Sequence, residues 1–131
     1  MNSFDDRCAA DMYAFGALVF FLVTGTSLNA ELTRELAGMH HWSAWTGTFE
    51  DATPYVRRAF ETVMHRAVAN LDPSVADRLA PVVRQLCDPE PLYRGHPANR
   101  SGDGARYGMQ RFVSAFDLLA KGAEWRRNRV A

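Results

Sequence analysis

The residues Asp11-Met12-Tyr13-Ala14-Phe15-Gly16-Ala17-Leu18-Val19-Phe20-Phe21-Leu22-Val23, closed by Thr24-Gly25, set the architecture expected of this chain. From Met12 to Val23 the segment is apolar all round. In a water-soluble protein that pattern predicts a helix buried on every side rather than one striped along a single face. Phe15, Leu18, Val19, Leu22 and Val23 supply its bulk, and the first four are expected to be the least exposed side chains of the chain. The run of about 12 residues would reach ~18 Å as a helix, against ~30 Å for a bilayer core, so a core helix is expected and no membrane contact. Gly16 costs ~1 kcal/mol relative to Ala in a helix unless a neighbour must approach its backbone. Thr24-Gly25 supplies the stop, since Gly takes the left-handed position after a helix at no steric cost.

Composition fits one helical domain spanning residues 1–131: 47% of the residues are hydrophobic, enough for a core at this length. Fifteen Lys and Arg balance fifteen Asp and Glu. The balance argues against nucleic acid or an anionic lipid surface as partner. Cys8 and Cys87 have no close spacing and no signal peptide precedes them, which predicts free thiols and a cytoplasmic protein.

Outward from the central stretch, Leu28, Leu32 and Leu36 recur every four residues as one face of a short helix, which Gly38 ends. Met39 to Gly47 has no period and carries Trp42 and Trp45, the mark of an ordered loop pinned by aromatic contacts. Thr53-Pro54 predicts a helix start, followed by Val56, Phe60, Val63, Met64, Ala67 and Leu71 on one face. Asp72-Pro73 starts the next helix, whose inner face is Val75, Leu79, Val82, Val83 and Leu86. Pro81 lies within it and predicts a kink or a fresh start. The Pro- and Gly-rich stretch from Cys87 to Gly108 excludes long regular elements. Met109, Phe112, Val113, Phe116, Leu119, Ala120 and Ala123 then form the inner face of a closing helix, and Arg126, Arg127 and Arg129 sit where its dipole favours cations. The fold class is all-α, with no strand legible.

Two motifs give this series a family resemblance. Asp11 to Gly25 is similar to the central C-lobe helix of protein kinases: Asp, an aromatic two residues on, a small residue, an apolar one, Gly, then an apolar run ending in Thr-Gly. Leu86-Cys87-Asp88-Pro89 with Arg94 resembles the Leu-x-x-Asp-Pro-x-x-Arg segment near the kinase C-terminus, and the closing helix takes the place of the last kinase helix. Arg94 follows Asp88 by six residues where the motif has four; either Pro91-Leu92 is a two-residue insertion or another residue fills that place. The resemblance is to the lower C-lobe of a bacterial Ser/Thr-type kinase. It implies that Asp11 accepts hydrogen bonds from a catalytic-loop backbone and that Arg94 pairs with the Glu of Ala-Pro-Glu. Read without the family, Asp11 is a helix N-cap and Arg94 a solvated loop charge.

The chemistry of a kinase lies upstream of this helix, which opens ten residues into the chain. His-Arg-Asp, Asp-Phe-Gly, Val-Ala-Ile-Lys, Ala-Pro-Glu and a Gly-rich loop are all missing from the sequence, and phosphoryl transfer needs those residues together. No catalytic residue and no cofactor site is therefore expected. His40, His41, His65 and His96 lack metal-ligand spacing, so no metal is expected. Arg94, Arg100 and Arg106 around Gly102 and Gly104 lack the Lys-Ser/Thr ending of a phosphate loop. Trp42, Trp45 and Trp125 suit burial or a protein partner better than stacking on bases, given the neutral chain. The function implied is a non-catalytic binding or scaffold module, with Asp11 and Arg94 as structural anchors toward a protein partner carrying a kinase N-lobe and catalytic loop. The alternative is the C-terminal part of a split or truncated Ser/Thr kinase, inactive alone.

Overall fold

The computed structural model describes residues 3–36, 40–100 and 106–130. They form five α-helices in chain order: α1 Ser3–Thr24, α2 Leu28–Glu35, α3 Phe49–Ala69, α4 Pro73–Leu86 and α5 Gln110–Val130. The fold is all-α, and no strand occurs among the described residues.

α1 begins two turns before Asp11, so Asp11 is not its N-cap; Asp5 and Asp6 occupy the first turn, where the helix dipole favours acids. At the other end the Gly25 N–H donates to the Phe21 carbonyl at 2.8 Å, with Gly25 at φ 77°, so the expected left-handed stop is present. Burial departs from expectation. The buried residues of α1 are Ala9, Met12, Gly16 and Phe20, at helical spacing along one side. Phe15 and Val19 are half-buried, while Leu18 is 52% and Leu22 71% exposed. The reason is the number of neighbours: α4, α2 and the turn at 91–93 are the main elements against α1. They cover one side of a helix that is apolar on both. At 22 residues, ~33 Å, α1 is also long and apolar enough to cross a membrane by length and composition, which the shorter run read from sequence was not.

Gly16 explains how α4 comes so near. A Cβ there would lie 2.3 Å from Cys87 Sγ and 2.8 Å from Leu86 Cβ, so only glycine admits the C-terminal end of α4 against the α1 backbone. Leu86 and Cys87 are both fully buried at this crossing. Met12, Phe20, Phe60, Val83 and Phe112 belong to the same core cluster.

α2 is capped by Ser27, whose Oγ accepts from the Ala30 N–H at 3.2 Å, and Leu28, Leu32 and Leu36 are buried as their spacing requires. Gly38 and Met39 lie outside the described residues. In the following loop His40 stacks on Tyr55 at 3.7 Å, and Trp45 Nε1–H donates to the Thr48 carbonyl at 2.9 Å. These contacts order the loop with aromatic rings.

α3 starts earlier than Thr53-Pro54. Thr48 is its cap, accepting from the Asp51 N–H at 3.1 Å, and Glu50 and Asp51 fill the first turn. Pro54 sits inside the helix near its start and is exposed, so the backbone acceptor it leaves unpaired is close to water. α4 starts at Asp72-Pro73 as expected, with Asp72 accepting from the Ser74 N–H at 2.9 Å. Pro81 does not divide it: one helix runs from Pro73 to Leu86 with Pro81 on its outer side. In α5, Phe112 is buried and Phe116 meets Phe15 edge-on at 5.6 Å. Val113, Ala120 and Ala123 are exposed, against expectation, because α5 packs chiefly on α4 and covers little beyond that contact. The side chains of Arg126 and Arg129 lie outside the described residues, and Arg127 is exposed.

Candidate functional site

The segment between α4 and α5 is irregular but firmly tied. Two short 3-10 turns, Pro91–Tyr93 and Pro97–Arg100, are linked by backbone acceptors to arginines: Arg100 donates to the Tyr93 carbonyl and Arg106 to that of Leu92. Neither arginine gathers a phosphate cradle, and Gly102 and Gly104 lie outside the described residues. Asp88 anchors the start of the segment. Its carboxylate takes both Nη atoms of Arg57 at 2.8 and 3.3 Å and the Glu90 N–H at 2.9 Å. Residues 57 and 88 are far apart in sequence, and no local pattern announces their pairing.

Arg94 is a half-buried group rather than a solvated loop charge. Its Nε donates to the Asp88 carbonyl at 2.8 Å and its Nη1 to the Ala9 carbonyl at 3.0 Å, so it ties the irregular segment to the N-terminal half of α1. The guanidinium carbon lies 5.0 Å from the centre of the Tyr13 ring. Among the described residues no carboxylate forms an ion pair with it, and Nη2 has no protein acceptor. Burial pulls its pKa below the usual arginine value, and the nearby Cys87, Tyr13, Asp88 and Glu90 oppose that shift.

Arg94 stands in the wall of a cavity of about 340 Å³ between α1, α2 and α3. Leu32, Val56, Phe60 and Pro89 give it an apolar interior, and the exposed rings of Trp42 and Phe49 stand at its wall. The Tyr13 hydroxyl donates to Asn29 Oδ1 at 2.5 Å. Burial pushes Tyr13 up to about 12. It pushes Cys87 up to about 12 as well, and the Cys87 thiol donates to the Tyr13 carbonyl at 3.5 Å. Both groups are therefore neutral near pH 7, and Cys87 is a poor nucleophile.

Asp11 is not brought to Arg94. Its side chain is exposed on the outer face of α1, without a hydrogen bond or ion pair among the described residues. With Ala14, Leu18, Phe21 and Leu22 it forms one exposed stripe at helical spacing. The histidines are dispersed: His40 stacks on Tyr55, His41 Nδ1 bonds Ser43 Oγ at 2.8 Å, His65 is exposed and His96 Nδ1 accepts from the Ala98 N–H at 3.1 Å. Among the described residues no group of three or more His, Cys, Asp or Glu is placed to hold a metal.

Compared with known proteins, the chain matches no family model, no curated protein and no solved structure.

Proposed function

We propose that this chain is a non-catalytic protein-binding module, kinase-like in design, which docks a protein partner on the outer face of α1. One observation carries the reading: Leu18, Phe21 and Leu22 are 52, 51 and 71% exposed side by side on a long apolar helix. Single apolar residues on a surface are ordinary, whereas a contiguous stripe marks an interaction face. The kinase-like motifs point to the kind of partner, a protein carrying an N-lobe and catalytic loop, with exposed Asp11 at the polar end of the stripe accepting its backbone hydrogen bonds. A bilayer is the weaker fit. The opposite stripe of α1 is packed into the helical core at Gly16, and the last turn of α1 carries no basic residue to meet lipid headgroups.

The test titrates the purified chain with a polypeptide that bears the Gly-rich loop, His-Arg-Asp and Asp-Phe-Gly motifs of a Ser/Thr kinase. Phosphatidylcholine–phosphatidylglycerol vesicles form a second arm. A complex weakened at least about tenfold by the Leu18→Ser/Leu22→Ser double substitution, with helicity retained, supports the reading. ATP-dependent phosphorylation by the mixture would make the pair a split kinase, and a complex without it a scaffold. Binding to vesicles alone, equal affinity of the double variant, or phosphoryl transfer by the isolated chain overturns it.

A further inference from the structure

The cavity beside Arg94 lies away from the outer face of α1, and its interpretation does not depend on the partner proposed above. Three features define what it would hold. The volume, about 340 Å³, falls at the lower end of small-molecule sites and suits a ligand of one ring or a short aliphatic chain. The interior is apolar, from Leu32, Val56, Phe60 and Pro89, and Trp42 and Phe49 are 46 and 53% exposed, so a flat or aliphatic group gains contacts that water does not make.

The polar side is a single cation. Arg94 has two of its donors fixed on the Ala9 and Asp88 carbonyls, which hold the guanidinium plane, while Nη2 has no protein acceptor among the described residues. The neighbouring acids are engaged: Asp88 with Arg57, and Glu90 as acceptor from the Leu92 N–H at 3.3 Å. Tyr13 and Cys87 remain neutral, so neither competes for the guanidinium charge. The Tyr13 hydroxyl occupies Asn29 Oδ1 and leaves the Asn29 amide N–H groups unused among the described residues. A preorganised cation with an unused N–H edge, next to an apolar chamber, selects an anion that carries an apolar body.

We propose that this cavity binds a small organic carboxylate, with the carboxylate on Arg94 Nη2 and an aromatic or aliphatic body between Leu32, Phe60, Trp42 and Phe49. Binding involves no covalent step.

The experiment uses the full chain and two probes, 4-phenylbutyrate and its uncharged amide, followed by the NMR signals of the Trp42 indole N–H and the Arg94 Nε–H. The acid is expected to shift both signals saturably, and the amide to bind at least about tenfold more weakly, since a charge-assisted hydrogen bond is lost. Arg94→Lys should weaken the acid by about tenfold, because an ammonium has no planar guanidinium to span the Ala9 and Asp88 carbonyls and the carboxylate together. Arg94 also ties the irregular segment to α1, so Phe49→Ser, at a half-exposed ring, supplies the second variant; it should weaken acid and amide alike. A third arm offers a capped peptide with Glu beside Leu. Equal binding of acid and amide, shifts confined to other residues, unchanged affinity of Phe49→Ser, or binding of the peptide without the free acid would each overturn the proposal.

Discussion

The two sides of α1 are nearly alike in composition and unlike in fate. Met12, Gly16 and Phe20 are buried, with Gly16 pressed on the end of α4, whereas Ala14, Leu18, Phe21 and Leu22 on the other side face solvent. Hydrophobicity states which residues benefit from burial, and the rest of the chain decides which are buried. The inner side should therefore be sensitive to every perturbation and the outer side to almost none.

The largest contrast is expected with alkaline pH. Burial raises Cys87 from its ordinary 9.0 and Tyr13 from 10.0, both to about 12, so the folded state holds these protons more tightly than the unfolded one. Their stabilisation is complete below about pH 9 and is lost as the pH rises through about 12. The urea midpoint should fall across that window. In Cys87→Ala, which has no thiol to ionise, the fall should begin nearer the Tyr13 onset at about pH 10; an onset unchanged by the substitution would remove Cys87 from the inner seam.

Next in size is Phe20→Ala, which should cost ~3–5 kcal/mol in urea denaturation, the range for a buried aromatic truncated in a core. Gly16→Ala follows. Its methyl gains up to ~1 kcal/mol of helix propensity but enters space held by Cys87 Sγ and Leu86 Cβ, and overpacking of that kind costs ~1–3 kcal/mol. A contact of 2.3 Å decides for destabilisation. Adding Cys87→Ala should then recover part of the loss, a coupling readable in a double-mutant cycle. Smallest is Leu22→Ser on the outer side, expected within ~0.5 kcal/mol of the parent, as for surface positions away from packed contacts. A loss of core size there would show that the outer stripe is covered and would end the comparison.

Much of the fold was legible because it is local. The Asp72-Pro73 start, the four-residue leucine repeat of α2 and the Gly25 stop depend on neighbours in sequence, and each stands where its pattern put it. Thr53-Pro54 misled because Thr48 offers an equally good cap five residues earlier, and an exposed proline near a helix start is tolerated. Pro81 begins no fresh helix: α4 runs through it from Pro73 to Leu86, with the proline exposed. The exposure of Leu18 and Leu22 was not legible, since an all-apolar segment has no period to say which side is inward. The motif singled out Arg94 as an anchor toward a partner's Glu, whereas the acceptors it has here are the backbone carbonyls of Ala9 and Asp88, which no spacing rule addresses. The cavity beside it draws on three helices and two loops, a convergence that exists only after folding.

The glycine–cysteine crossing of α1 and α4 also bears on kinetics. Cys87 is 0% exposed with its sulfur against a bare backbone, so an alkylating reagent has no room to reach it until the two helices part. Cys8, only partly covered, provides an internal reference that needs no such separation. The ratio of iodoacetamide labelling rates at the two thiols thus reads the population of opened molecules under native conditions, without added denaturant. A partner clamped over α1 should slow the Cys87 clock.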